Sequence, residues 1–551
     1  MSQPSPDVQA VIGSLVGPGG PFEMVPAEVL GATVPVFAHA GGALHELLAE
    51  SLQWADRDYL VTIDSRLTFG EHAVRVSSLA HALRTEHGVQ PGDRVGITGA
   101  NSPEWITAFW AAVSIGAVAV AYNSWWTTNE LDHGLGHTRP KVVFADARRS
   151  AQVHDLATVH PDVVLLGLDT DLPEMATAYP QAPLPSADVA PDDPAVILYT
   201  SGTSGKPKGA VHSHRNVMSV VEYHRYNDAL MAAFGDPTPA SDRVYLLALP
   251  LFHIASLHNL VVPRLASGST AVMTTGAFDV DQVLTLVERE RVSNWGAVPT
   301  QAHRLLEHGD LDRYDTSSLR AFALASAPSS TAFKQRLRDG LPFASSLVDS
   351  YGLTESCTAL AVATPMDLAE SPGTLGRPII GVELQVRDAA GNPVGPGVEG
   401  EICARSPYVM TGYFEDAAAT ARAIDGDRWL RTGDLGELDE QGRVRLSSRR
   451  SDLIIRGGEN VYPAEVEDAL STHPDVAEVI VLGVPHESWG QEVGAVVVTR
   501  PGSTPTAEEL QTFVAQKVAP FKVPTHWRVT AEALPRNATG KVNRAQVPLP
   551  A

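Results

Sequence analysis

Hydrophobic and polar positions repeat along this chain with two periods. After Asp279, the residues Val280, Val283, Leu284 and Val287 fall at i, i+3, i+4 and i+7, which predicts one buried helical face with Asp279 as its N-cap. Asn294 to Val298 follows as a short apolar segment suited to a strand. From Ala43 to about Arg377 such helical and β-branched runs alternate, the pattern of parallel sheets covered by helices. Trp105 to Tyr122 runs 18 residues without a charge, long enough to raise a membrane helix. Gly116 breaks the pattern, however, and Val118 to Tyr122 reads as a strand, so a buried helix followed by a strand is expected.

Beyond Gly381 the pattern shortens to alternating strands punctuated by glycine, such as Glu383 to Val386 and Gly400 to Ala404, predicting a small β-rich subdomain. Pro183 to Pro194 and Gly235 to Asp242 are rich in proline, aspartate and small residues and read as linkers or surface loops. A basic, polar segment from Ser448 to Gly458 precedes a further αβ region of about one hundred residues, the size of a small domain. The expected fold is multidomain α/β. Residues 1–449 would form a large N-terminal domain of two αβ subdomains and a β-rich one, and residues 450–551 a small, mobile α+β domain.

Composition narrows the function. The 551 residues include 44% hydrophobic and 19% charged ones, with 41 basic against 64 acidic side chains and a net charge of −23. No basic run offsets this, which argues against nonspecific nucleic-acid binding or a basic membrane footprint. Cys357 and Cys403 are the only cysteines and share no metal-ligand spacing, so a reduced, cytoplasmic chain is expected. Met1 to Gly20 lacks a basic n-region and an apolar h-region, so no secretory signal is expected, and with Trp105 to Tyr122 broken at Gly116 no integral membrane segment is expected either. A homo-oligomer is left open.

The chemistry concentrates first in Tyr199-Thr-Ser-Gly-Thr-Ser-Gly-Lys-Pro-Lys-Gly209, directly after the apolar run Ala195 to Leu198. Gly202 and Gly205 let backbone N–H groups close around phosphate oxygens; Thr200, Ser201, Thr203 and Ser204 can donate hydrogen bonds, and Lys206 and Lys208 supply positive charge. Pro207 stands where a Walker loop needs Ser or Thr after Gly-Lys, so this is a different phosphate loop. A flexible glycine-serine linker is the bland alternative.

The loop resembles the phosphate-binding signature of the adenylate-forming enzymes, which include AMP-forming acyl-CoA synthetases, peptide-synthetase adenylation domains and beetle luciferases. Asp349-Ser-Tyr-Gly-Leu-Thr-Glu355, Arg431-Thr-Gly-Asp434, Arg449 within Ser448-Arg-Arg-Ser-Asp452, and Pro535-Arg-Asn-Ala-Thr-Gly-Lys541 match that family's further motifs in its order. The resemblance implies ATP-dependent activation of a carboxylic acid, with a fatty acid expected, followed by transfer to coenzyme A. Attack of a carboxylate on the α-phosphate brings two anions together, so the site must gather positive charge and align the pair.

By resemblance, Asp349 and Ser350 would belong to the nucleotide site, Tyr351 would stack on adenine and Gly352 would allow its close approach. Thr354 would bond the α-phosphate, and Glu355 would hold Mg2+. Asp434 would accept hydrogen bonds from both ribose hydroxyls, and Arg449 would reach the ribose or a phosphate. Lys541 would be the catalytic lysine, acting with Thr203 and Glu355. His253, Trp295, Gly296, Ala325, Ser326 and Ala327 would line the acyl pocket. Gly457, Gly458 and Glu459 would line the pantetheine tunnel. Ser451 stands two residues after Arg449, where relatives commonly carry Asp or Lys as the hinge.

Taken singly, these residues have plainer readings. A Thr-Glu pair is a common helix cap, Asp434 beside Gly433 a turn aspartate, and Cys357 a buried, inert thiol. The rival functions are transfer of the acyl group to a carrier protein or an amine, and a noncatalytic nucleotide-binding regulator.

Overall fold

The computed structural model describes residues 8–200, 207–324, 329–449, 452–456, 459–486, 489–536 and 542–550, with 448, 449 and 545 as backbone only. The fold is mixed α/β, with a large N-terminal domain and a smaller C-terminal one. Two twisted sheets carry the large domain. The parallel part of the seven-stranded sheet has Arg94–Thr98 at its middle, flanked by Val118–Ala121 and Pro194–Thr200 on one side and Val142–Ala145 and Val164–Gly167 on the other. Its edge turns antiparallel through Lys208–Ser213 and Gly412–Tyr413. The nine-stranded sheet runs parallel from Leu347–Gly352 through Ala321–Leu324, Asn294–Ala297, Val244–Leu247 and Thr270–Met273 to Asp58–Val61.

The charge-free stretch explains how these sheets are covered. Ser102 caps the helix Pro103–Ser114 by accepting from the Trp105 N–H at 3.1 Å, with Pro103 in its first turn. Every residue from Trp105 to Ser114 is buried. Twelve residues rise only about 18 Å, well short of a bilayer's hydrocarbon core. Gly116 ends the helix at φ +77°, and a Cβ there would meet Ala187 and Val189 at 3.0 Å, so only glycine fits both the backbone and the space. Among the described residues, no helix is long and apolar enough to cross a membrane.

The helix Val280–Glu290 shows the same economy of cause. Asp279 accepts from the Gln282 N–H at 2.8 Å, and Val280, Val283, Leu284 and Val287 enter a core shared with Trp295, Phe322 and Leu347. Beyond the large sheets, Glu383–Arg387, Gly400–Arg405, Leu430–Leu438 and Val444–Arg449 form a four-stranded antiparallel sheet. A separate five-stranded sheet begins at Ile454–Arg456 and is built on the long pair Val476–His486 and Gly490–Thr499. It packs with the helices Pro463–Ser471 and Ala507–Ala515 around its own apolar core. An N-terminal hairpin, Met24–Val29 with Ala32–Phe37, has no counterpart in the expectations above.

Candidate nucleotide and acyl site

The strand Pro194–Thr200 is buried at Ala195 to Tyr199 and returns as Lys208–Ser213, with Thr200 opposite Lys208. The hairpin therefore delivers both ends of the phosphate-type loop to one edge of the sheet. Ser201, Gly202, Thr203, Ser204, Gly205 and Lys206 lie outside the described residues. Lys208 sits over the Tyr413 ring at 5.1 Å from its centroid, a cation–π contact.

At the other sheet, Leu347–Gly352 ends in the 3₁₀ turn Thr354–Ser356. This turn is no helix cap; it is held from outside. The His212 Nε2–H donates to the Thr354 carbonyl at 2.8 Å, and the Met410 N–H donates to the Glu355 carbonyl at 2.9 Å. The Tyr413 hydroxyl donates to Glu355 Oε1 at 2.8 Å. Burial first, then the Glu355 charge, pushes the Tyr413 phenol well above its usual range, so it stays a donor. Gly352 permits a close approach, and in this structure the approaching group is backbone: a Cβ would lie 2.5 Å from the Thr358 carbonyl oxygen and 2.8 Å from Ala359 Cα.

Tyr351 is buried, and its hydroxyl donates to Asp434 Oδ2 at 2.8 Å. Asp434 is only 4% exposed. It follows Gly433 at φ +73°, its N–H donates to Thr432 Oγ1 at 3.1 Å, and it stands opposite Arg449 in the antiparallel register. Two segments 83 residues apart thus meet through one hydrogen bond.

Asp349 takes a different place. Its carboxylate forms an ion pair with Lys334 of the helix Thr331–Gly340, both side chains about 5% exposed or less. Burial raises the Asp349 carboxyl above its ordinary range, with Lys334 opposing the shift. Its second oxygen caps the Ser350 N–H at 2.9 Å, so Asp349 anchors the strand from behind.

The acyl-pocket candidates separate. His253 lies in a turn, its ring 4.4 Å from Phe252, and its carbonyl accepts from the Ser256 and Leu257 N–H groups. That turn leads into a π-helical segment, Leu257–Val261, a rare form often found at functional sites. There Asn259 donates to the Cys357 carbonyl at 3.4 Å and accepts from Thr358 at 2.5 Å. His258 Nδ1 lies 3.2 Å from Cys357 Sγ. Burial lowers His212 to about 4 and His258 further, and pushes the Cys357 thiol well up, so this knot behind the turn is uncharged at neutral pH. Gly296 faces open space, with nothing within 4 Å of an added Cβ. Trp295, its neighbour on the opposite face of the strand, packs in the core against Phe322 and Phe343 at 5.5 and 6.3 Å. Ala325, Ser326 and Ala327 lie outside the described residues.

In the small domain, Glu459 is exposed and pairs with Arg456 across a short hairpin. Gly457, Gly458, Ser451 and Lys541 lie outside the described residues. Arg536, in the same motif as Lys541, donates to Glu478 at 2.5 Å and to Thr300 Oγ1 of the large domain at 3.3 Å. Sequence reasoning missed Tyr413, His212, Asn259 and Lys334. Their partners lie 58, 142, 98 to 99 and 15 residues away, beyond any local spacing rule.

The large domain therefore brings together a phosphate-type loop edge with a lysine, a carboxylate beside it, and a buried tyrosine joined to an aspartate. Such a set can hold a nucleotide and oppose its charge. Residues 49–414 match the AMP-binding enzyme family and residues 465–541 its C-terminal domain. The chain belongs to the AMP-binding enzyme family. Indoleacetate–CoA ligase of Aromatoleum aromaticum is 35% identical over 87% of this chain and 92% of that protein. A long-chain-fatty-acid–CoA ligase of Mycobacterium tuberculosis is 32% identical over 87% and 92%. ATP-bound MatB from Rhodopseudomonas palustris superposes with a TM-score of 0.81 at 30% identity, covering 91% of this chain and 97% of that one.

Proposed function

We propose that this enzyme activates a carboxylic acid with ATP as an acyl-adenylate and then transfers the acyl group to coenzyme A, releasing AMP. The observation that carries this reading is that segments of separate adenylate-forming motifs are joined, Lys208 to Glu355 through Tyr413 and Tyr351 to Asp434 directly.

In this reading the phosphate loop, with Thr203, surrounds the triphosphate, and Lys208 adds positive charge as pyrophosphate departs. Asp434 receives the ribose hydroxyls, and Tyr351 presents its ring to adenine, a face that the Asp434 bond keeps fixed. Lys541 joins the attacking carboxylate to the nucleotide, Arg449 approaches from the domain junction, and Gly457, Gly458 and Glu459 guide the pantetheine arm. Glu355 suits a divalent cation: it is a hard oxygen donor, half-buried, and among the described residues only its Oε1 accepts a hydrogen bond, from Tyr413. Mg2+ held there with phosphate oxygens would supply charge neutralisation.

The acid is proposed as a fatty acid, with a ring-bearing acid as the second reading. The first is supported by the long-chain relative and the second by the indoleacetate relative, and the open space at Gly296 is compatible with either. A panel of fatty and aryl acids, assayed for AMP release with and without coenzyme A, tests both acid and acceptor. AMP release that ignores coenzyme A for every acid would sink the thiol acceptor and favour a carrier protein or an amine.

A further inference from the structure

We propose that Tyr413 is a positioning residue that fixes the Glu355 carboxylate for a divalent cation and keeps Lys208 from neutralising it. The proposal rests on the reading of Glu355 as a cation ligand.

Glu355 lies in a turn of three residues, followed by Cys357 at φ +61°. A turn this short fixes the backbone, yet leaves a side chain with three rotatable bonds free to swing. The Tyr413 hydroxyl, 2.8 Å from Oε1, restrains that freedom by holding one carboxylate oxygen. Tyr413 is itself well held. Its two-residue strand pairs with Ala210 and Val211, its N–H donates to Thr420 Oγ1 at 2.9 Å, and Met410 of the same strap bonds the Glu355 carbonyl.

The ring does a second job. Lys208 rests on its face while Glu355 meets its hydroxyl edge. Among the described residues, neither Lys208 nor Glu355 has an ion-pair partner. Without the ring that both contact, the opposite charges could close into a pair, leaving neither the lysine for phosphate nor the carboxylate for a cation. One phenol therefore spaces the two charges and ties the exit of the phosphate loop to the Thr354–Glu355 turn. Outer partners of metal-binding carboxylates commonly matter about 10- to 100-fold in affinity.

The test compares parent, Tyr413→Phe, Glu355→Gln and the double variant. Mn2+ is titrated by electron paramagnetic resonance into each enzyme with α,β-methylene-ATP bound, and circular dichroism checks the fold. Tyr413→Phe should raise half-saturating Mn2+ about tenfold and leave KM for the acid unchanged. The double variant should bind Mn2+ no worse than Glu355→Gln, because the tyrosine acts only through that carboxylate. Parent-like Mn2+ binding by Tyr413→Phe overturns the proposal, and so does an equal further loss in the Glu355→Gln background. Parent-like binding by Glu355→Gln instead removes the cation role of Glu355 on which it rests.

Discussion

The large and small domains hold their shares of the site by different means. In the large domain, Tyr351 and Asp434 are buried and bonded to each other, and Asp349 is paired with Lys334 out of contact with water. The hydrogen bonds by which the small domain meets this body, among the described residues, come from exposed or half-exposed polar groups, although Asp468 on its first helix also feels the charge of Lys334. Arg536 reaches Thr300, Tyr462 donates to the Glu399 carboxylate, and the helix Pro463–Ser471 lies against Thr331–Gly340. A buried pair costs several kcal/mol to break, whereas an exposed polar contact costs about 1 kcal/mol or less. The first kind suits groups whose geometry must persist, and the second suits groups that must be exchanged between two half-reactions.

The strongest way to break this contrast is Lys334→Met. If the large domain depends on buried pairing, the Asp349 charge left behind should cost about 3–5 kcal/mol of stability, read from the urea midpoint. The pH dependence has a definite sign. A carboxyl whose folded pKa lies above its unfolded value favours the fold at low pH, and that advantage is lost as pH rises through the folded value. The deficit of Lys334→Met should therefore be largest at neutral pH and shrink on acidification. A deficit under about 1 kcal/mol at neutral pH, the scale of an exposed pair, would erase the distinction.

Lys541→Ala comes next. If Lys541 is the adenylation lysine proposed above, losing its charge should slow acyl-adenylate formation by ~10²-fold, while thioester formation from supplied acyl-adenylate is spared. An equal fall in both steps would mean that Lys541 is not exchanged between them. Ser451→Pro sharpens the same point more gently. Proline fixes φ near −65°, so if the pivot is at Ser451, adenylation should persist while transfer becomes rate-limiting and acyl-adenylate accumulates. Ser451→Ala, which removes only the hydroxyl, should behave as the parent.

The same contrast marks what could be read from the sequence. Local causes were legible. The Asp279 cap, the i, i+3, i+4, i+7 face behind it, and the break at Gly116 all appear where periodicity and turn chemistry place them. Motif order likewise pointed to the family to which the chain belongs. Long-range pairings were not legible. Nothing near Tyr413 names Glu355 as its partner, and nothing near Lys334 distinguishes a buried cation from an ordinary helix lysine until the strand Leu347–Gly352 lies beside it. Trp295 shows the limit within a single strand: it and Gly296 are adjacent in sequence, yet alternation sends one into the core and leaves the other in open space.

The smallest effect is expected at Tyr462, whose hydroxyl donates to the Glu399 carboxylate across the two domains. Both groups are exposed or partly so, so removing the hydroxyl with Tyr462→Phe should shift the balance between domain arrangements by about 1 kcal/mol or less, at most roughly fivefold. If the contact belongs to one arrangement only, the half-reaction served by that arrangement should slow while the other quickens, since a shared equilibrium moves both populations oppositely. Glu399→Gln should have a milder effect, because an amide oxygen can still accept from the phenol. Burial, and then the bond to Glu399, raises Tyr462 to about 12. A donor raised in this way keeps its proton below pH 10 and loses it only as pH climbs toward the folded value, so the effect should be flat from pH 7 to 9. Single-turnover formation and decay of acyl-adenylate measure both rates at once. If both fall together, Tyr462 supports the small domain's fold; if they move apart by a few-fold, its surface contact is one that the enzyme makes and breaks in each cycle.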